Sequence, residues 1–362
     1  LCPVAAKCGG CQLQHMSYAG QLRYKQKKVQ DCMERIGGFR DVVVQPVLGM
    51  EEPFHYRNKA QFPVGKGKDG IEMGFYAKHS HRIVKQDHCL LQHPVNQQIL
   101  QILLDFMVEF QISAYEEETH RGLVRHVLTR VGTFTGEIMV CIIINGKKLP
   151  HQEVLVERLQ QIEGMASIQL NINREQTNVI LGKKNMLLWG KPAICDTVDG
   201  ILFEISPHSF YQVNPQQMQV LYRKALEAAD LTGEETVLDL YCGIGTISLY
   251  LAQKAKRVFG VEIVPEAVEN AKTNAAANGF TNAEFAAGAA EDVIPKLYTQ
   301  GKISHADVVV VDPPRKGCDQ ILLETIVKLA PEKLVYVSCD PATLARDASY
   351  LRENGYQLES VQ

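Results

Sequence analysis

The feature that most constrains this chain is the strict alternation of helix-type and strand-type segments from about Pro207 to the end. Helical spacing over Pro215–Ala229 gives way to a strand pattern at Thr236–Tyr241. Helix Thr246–Ala255, strand Arg257–Val261, helix Pro265–Asn278 and strand Ala283–Ala286 follow. A helix near Glu291–Thr299, strand Ala306–Val311, helix Ile321–Leu329, strand Lys333–Ser338 and helix Ala342–Glu353 continue the series, and a further strand is expected from Tyr356. Strands joined by crossover helices can pair only in parallel, so residues 207–362 predict a doubly wound α/β sheet. Such sheets bind ligands at the carboxyl ends of their strands, which directs attention to the residues just past each strand.

The 206 residues before this domain read differently. A Cys/Gly-rich start leads into a helical pattern over about Ser17–Ile36 that Gly37-Gly38 stops, and residues 1–40 are taken as one segment. Between 41 and 206 short β-type runs dominate: Val42–Val47, Lys59–Val64, Glu72–Tyr76, Leu123–Val131, Glu137–Ile144, Ile168–Asn173 and Asn178–Leu181, interrupted by one helix over Val95–Phe110. That pattern predicts an α+β domain rich in antiparallel sheet. No apolar run nears the roughly 20 residues of a membrane span, and the first residues lack a signal-peptide pattern, so a cytoplasmic protein with no membrane contact is expected. The net charge of −3 is unevenly spread: residues 1–90 carry 14 Lys+Arg against 8 Asp+Glu. A basic N-terminal part on an acidic body suits a polyanion, although a solvated Lys-rich face would have the same counts. Ten cysteines without a secretory signal belong to a reducing compartment, where thiols serve as metal ligands or nucleophiles.

The first strand of the α/β domain turns into its helix through Asp239-Leu-Tyr-Cys-Gly243-Ile-Gly245-Thr. Gly243 and Gly245 permit a tight turn and close backbone approach to a ligand. Ser248 stands where the third glycine of a dinucleotide loop would be, which counts against a dinucleotide. Asp239 can order the loop or accept from a cofactor amino group, and Glu262, ending the next strand, is placed to bind a ribose diol. The combination resembles the class I methyltransferase signature, whose cofactor is S-adenosylmethionine. In such enzymes Asp292, after Gly288-Ala-Ala-Glu, falls near the adenine.

The two remaining strand ends carry the chemistry. Asp312-Pro313-Pro314-Arg315 presents a carboxylate that its prolines keep out of the adjoining helix. Cys339-Asp340-Pro341 puts a thiol between a strand and a helix with proline in its first turn, and the positive end of a helix dipole favours the thiolate. By position alone a small buried hydrophobe explains Cys339 equally well. Chemistry separates the two. C5 of uracil is too poor a nucleophile to take a methyl group from a sulfonium, whereas thiolate attack at C6 turns C5 into an enolate carbon that can. A methyltransferase aimed at an amine needs no such thiol.

With Ser338-Cys-Asp-Pro-Ala-Thr-Leu-Ala-Arg-Asp347, Asp312-Pro-Pro-Arg315 and Phe210-Tyr-Gln-Val-Asn214 in view, the chain resembles the RumA/TrmA family of RNA 5-methyluridine methyltransferases over essentially its whole length. The resemblance implies a class I (Rossmann-like) methyltransferase domain joined to an α+β RNA-recognition domain. It implies Cys339 as nucleophile, with Gln212, Tyr241, Glu262 and Asp312 lining the methyl-donor and uracil site, where Asp312 stabilises the enolised ring or bonds its edge. It further implies a proton-abstracting Glu beyond Gln362 and an upstream TRAM-type barrel, neither of which lies in this sequence. RNA cytosine-5 methylation is the rival chemistry. It generally uses a second Cys just after the Asp-Pro-Pro motif, where Arg315 stands here.

Cys2-x5-Cys8-Gly-Gly-Cys11, with Cys89 as a distant fourth, can wrap one metal centre, zinc as readily as iron–sulfur. The spacing resembles the [4Fe–4S] site of the RumA branch, and this implies 23S ribosomal RNA as substrate, with transfer RNA as the alternative. A non-catalytic iron–sulfur RNA-binding protein is the rival from another class. Arg57, Lys59, Lys78 and Arg82, interleaved with Tyr56 and Tyr76, are the expected phosphate contacts. No obligate protein partner is expected.

Overall fold

The computed structural model describes residues 2–85, 88–303 and 305–362. The chain forms two compact units: residues 1–17, 51–198 and 204–216 make the first, and residues 18–50, 199–203 and 217–362 the second. Residues 1–40, read from sequence as one segment, are thus divided. Helix α1 (Tyr18–Arg35) follows its apolar face into the second unit, while the cysteine segment stays with the first.

In the first unit, strands β1 (Lys59–Gly67), β2 (Gly70–Tyr76), β3 (Ile83–Lys85), β4 (Val124–Val131), β5 (Ile138–Ile144), β6 (Met165–Ile172) and β7 (Lys184–Gly190) form a sheet ordered β3-β2-β1-β4-β5-β6-β7. Its pairings are antiparallel except β5 with β6. β4 and β5 are buried along their whole length; β5 reads as a continuous apolar run, whereas β4 carries Arg125, His126, Thr129 and Arg130 into the interior. Helices α2 (Val95–Glu109) and α3 (Gln152–Leu159) cover one face through Ile99, Leu103, Phe106, Leu155 and Leu159. The opposite face is closed by Ile180 and Leu181 against Leu128, Cys141 and Ile143.

That closure corrects the strand expected at Asn178–Leu181. The segment is a loop: Asn173 Nδ2 donates to the carbonyls of Val179 and Ile180, and Asn171 pairs with Gly182. Asparagine side chains here take the backbone partners a strand neighbour would supply. A two-stranded hairpin, β8 (Ile194–Val198) and β9 (Ile201–Ile205), completes the β elements before the α/β region.

The second unit contains the parallel sheet. Strands β10 (Thr236–Leu240), β11 (Arg257–Glu262), β12 (Ala283–Ala287), β13 (Val308–Val311) and β14 (Lys333–Tyr336) lie in the order β12-β11-β10-β13-β14. The order reverses beside β10, so the switch point lies between β10 and β13. Helices α4 (Pro215–Ala229), α5 (Thr246–Ala252), α6 (Pro265–Ala277), α7 (Ala290–Thr299), α8 (Gln320–Leu329) and α9 (Pro341–Glu353) alternate with the strands as expected. One sheet face buries Leu238, Leu240, Val261, Val309 and Val311 against Ile294, Leu322 and Ile326.

Two more expected strands are absent. The segment around Val42–Val47 touches the chain end through a single bridge, Val44 to Val361, and the segment from Tyr356 makes no ladder. The amides of Gln26 and Gln30 on α1 bond the backbone of Val42 and Val44 instead. Met33, Val44, Ala345 and Val361 form the small core beneath them.

Candidate active site

The loop between β10 and α5 is built around two glycines in left-handed conformations, Gly243 (φ 56°) and Gly245 (φ 82°), preceded by Tyr241 at φ 69°. A Cβ on Gly245 would press on Ala271 and Phe285 at 3.1 Å, whereas around Gly243 the space is open. Glu262 at the end of β11 spends its carboxylate on this loop, accepting from Gly243 N (3.2 Å) and Val264 N (2.9 Å). Asn274 on α6 holds the Ile244 carbonyl at 3.1 Å.

Asp239 is fully buried and accepts from Ser248 Oγ at 2.5 Å. Ser248 therefore stands in the third glycine's place because its hydroxyl supports Asp239, a role its sequence position alone did not disclose. The other oxygen, Asp239 Oδ1, has no hydrogen-bond partner among the described residues. Burial pushes the Asp239 pKa up to about 7 against the pull of Ser248, with the charges of Asp312 and Glu262 adding to the rise. Burial likewise raises Asp312 to about 6. An orphaned carboxylate oxygen, an open glycine cradle and clustered acids suit a cationic ligand with amino groups to donate, and the sulfonium and amine of S-adenosylmethionine meet that description. Tyr241 is half-buried, its hydroxyl pushed up to about 12 by burial, and Asp292 is exposed in the first turn of α7.

Asp312 stands just past β13 and Cys339 just past β14, neighbouring parallel strands of one sheet. Cys339 is exposed and lines a cavity of about 780 Å³ within the second unit. The helix end it adjoins is already capped: Asp340 accepts from Ala342 N (2.9 Å) and Thr343 N (3.4 Å). The N–H groups expected to favour the thiolate thus point to the Asp340 carboxylate. Cys242 and Cys318 are buried, and burial pushes the first thiol well up and the second to about 12, leaving Cys339 the accessible sulfur of this region.

Gln212 belongs to the first unit. Asn58 anchors its segment by donating Nδ2 to the Gln212 carbonyl (2.9 Å) and N to the Val213 carbonyl (3.0 Å). The buried Arg130 donates to the carbonyls of Pro207 and Ser209 just upstream.

Cys2, Cys8, Cys11 and Cys89 all line one cavity of about 380 Å³ in the same unit. Gly9 permits this, since its N–H bonds the Tyr76 carbonyl (2.8 Å) and any Cβ would strike that oxygen. Burial and the three neighbouring thiols push the Cys11 thiol up, while Arg57 pulls it down. Among the described residues no three His, Cys, Asp or Glu side chains gather closely enough to hold one metal ion. The four basic residues separate: Arg57 and Lys59 line the cysteine cavity, whereas Lys78 and Arg82 are exposed beside the turn joining β2 and β3. Burial, with the charges of Arg130 and Arg57, lowers Lys59 to about 8.

A family model described as tRNA (Uracil-5-)-methyltransferase matches residues 17–359. An RNA methyltransferase of Halalkalibacterium halodurans is 56% identical over 362 residues, covering 100% of this chain and 79% of the relative. One from Clostridium tetani is 52% identical, covering 100% and 78%. Among solved structures, Pyrococcus abyssi tRNA (uracil-54, C5)-methyltransferase in complex with S-adenosyl-L-homocysteine aligns at a TM-score of 0.79 and 31% identity, covering 98% of this chain and 81% of that one. No helix among the described residues is long and apolar enough to cross a membrane.

Proposed function

The chain belongs to the tRNA (uracil-5-)-methyltransferase family, and from that premise we propose that it methylates C5 of a uridine in 23S ribosomal RNA through a covalent bond from Cys339 to uracil C6. The observation that carries the covalent reading is the exposed thiol of Cys339 one strand away from Asp312, with the other two cysteines of the region buried.

S-adenosylmethionine supplies an electrophilic methyl group. The Cys339 thiolate attacks C6 of a uridine turned out of its RNA context, and the C5=C6 electron pair moves toward O4 as an enolate. C5 then takes the methyl group as its bond to sulfur breaks, leaving S-adenosylhomocysteine. Transfer of the C5 proton to a general base re-forms the double bond as the C6–sulfur bond breaks and the Cys339 thiolate leaves. Asp312 accepts the N3–H at the uracil edge. Tyr241 and Glu262, with the Asp239 and Gly243 loop, hold the donor, and Asp292 lies toward the adenine. Lys78 and Arg82 contact RNA phosphates, and the protein works in the cytoplasm.

Cys2, Cys8, Cys11 and Cys89 hold a [4Fe–4S] cluster. The four cysteines line one cavity, and their Cys-x5-Cys-x2-Cys spacing with a distant fourth resembles the iron–sulfur branch, which supports the ribosomal reading. The cluster's anchorage fixes the N-terminal segment beside β2 rather than moving electrons, because methyl transfer is redox-neutral. Transfer RNA is the second reading, favoured by the Pyrococcus abyssi enzyme, which acts on tRNA.

RNA carrying 5-fluorouridine at the target tests the mechanism, because fluorine cannot leave as the proton does. A covalent protein–RNA adduct is expected that needs both S-adenosylmethionine and Cys339. Cys339→Ala should keep S-adenosylmethionine affinity and lose methyl transfer by ~10³-fold or more. Near-normal turnover in that variant would overturn the mechanism. Comparing ribosomal and transfer RNA as acceptors decides the substrate.

A further inference from the structure

We infer that Asp347, working with Arg346, is a positioning residue that locks the segment after Asp312 to the helix after Cys339, so that carboxylate and thiol keep one spacing through the reaction. The inference rests on the proposed reading of this site, and it concerns residues that touch none of the reacting atoms.

Asp347 lies in α9 and is fully buried. A buried carboxylate is costly unless every lone pair is used, and here both oxygens are committed. Oδ2 accepts from Cys318 N at 2.8 Å and from the Tyr336 hydroxyl at 2.7 Å. Oδ1 takes the Arg346 guanidinium, with Nε at 2.8 Å and Nη2 at 2.7 Å. Arg346 also reaches the Lys316 carbonyl at 2.9 Å, and Thr343 Oγ1 donates to the Arg315 carbonyl at 3.3 Å. Side chains of one helix therefore grip residues 315, 316 and 318, the stretch that continues directly from Asp312-Pro313-Pro314.

Gly317 completes the fit. Its φ is +80°, and a Cβ there would fall 2.6 Å from Arg346 Nη2 and 2.7 Å from Asp347 Oδ2. The second strand is held through Tyr336, the last residue of β14, three positions before Cys339. One carboxylate thus bonds both chain segments that deliver the site's acid and its thiol. Directional hydrogen bonds to a buried carboxylate, with the half-exposed Arg346 as its ion-pair partner, fix position in a way that apolar packing of equal volume does not.

The test uses Asp347→Asn, with Arg346→Lys as a milder variant should the first fail to fold. Methyl transfer from labelled S-adenosylmethionine and adduct formation with 5-fluorouridine RNA are followed in single turnovers, beside affinities for S-adenosylmethionine and RNA. Misplacement by an ångström costs on the order of 10²-fold in rate, so Asp347→Asn should slow both steps by that order while both affinities stay within about threefold. Arg346→Lys, which leaves the Cys318 and Tyr336 bonds in place, should recover part of the rate. Rates within about threefold of the parent in either folded variant would overturn the inference. So would a loss of S-adenosylmethionine affinity matching the loss of rate, the mark of a structural role alone. A parent that methylates but forms no adduct would sink the covalent reading alone, because methyl transfer still reports on positioning.

Discussion

Asp312 and Asp239 are two carboxyls of the candidate site whose chemistry burial changes. Both are carboxyls raised by burial, Asp312 to about 6 and Asp239 to about 7. An unfolded aspartate titrates near 4. Between about pH 4 and 7 the folded chain therefore holds protons that the unfolded chain has released, and these two groups make stability fall as pH rises through that window. Asp312→Asn should accordingly raise the melting temperature at pH 8 relative to the parent, with the difference shrinking toward pH 5. Function runs the other way. If Asp312 accepts the uracil N3–H, the single-turnover methyl-transfer rate of the parent should fall as pH drops through about 6. A rate that instead falls as pH rises through 6 would reassign Asp312 as a donor to the enolate oxygen. Sequence marked Asp312 by its prolines, but its raised pKa depends on neighbours that no local pattern names.

At the scale of elements, the β10–α5 turn contrasts its two glycines. Gly245 caps α5 at a positive φ and is crowded by Ala271 and Phe285, so Gly245→Ala carries both strain and overlap. Denaturant titration should show a loss of about 1–3 kcal/mol. Gly243 has a positive φ but open space around it, so Gly243→Ala should cost only about 1 kcal/mol from the backbone. Its larger effect should be on S-adenosylmethionine affinity measured by calorimetry, because the added methyl group enters the space proposed for the ligand. Equal affinities for the Gly243→Ala variant and the parent would place the ligand elsewhere. The same turn shows how an element reads from sequence. Its glycines and the acid of Glu262 stood out, whereas the support from Ser248 and Asn274 came from residues that resemble ordinary helix positions.

For the molecule as a whole, Cys2, Cys8 and Cys11 reach Cys89 across most of a hundred residues of chain. Protein purified without oxygen should be brown, with iron and sulfide in near-equal amounts, and Cys8→Ser or Cys89→Ser should lose the colour. A colourless protein with stoichiometric zinc would overturn the cluster. The alternation of apolar strands and amphipathic helices after Pro207 determined the parallel sheet, since only crossover connections satisfy it, and the motifs at three strand ends placed Asp239, Asp312 and Cys339 at one end of that sheet. Periodicity could not tell that Val42–Val47 and Asn178–Leu181, apolar and extended by composition, lack ladders. Side-chain amides of Gln26, Gln30, Asn171 and Asn173 supply their backbone bonds, and those partners lie 6 to 18 residues away, where apolar periodicity does not register them. The same holds for Asp347. Its bonds to Cys318 and Tyr336 span separations of 29 and 11 residues, so the tertiary structure alone decided that it ties two strand ends together.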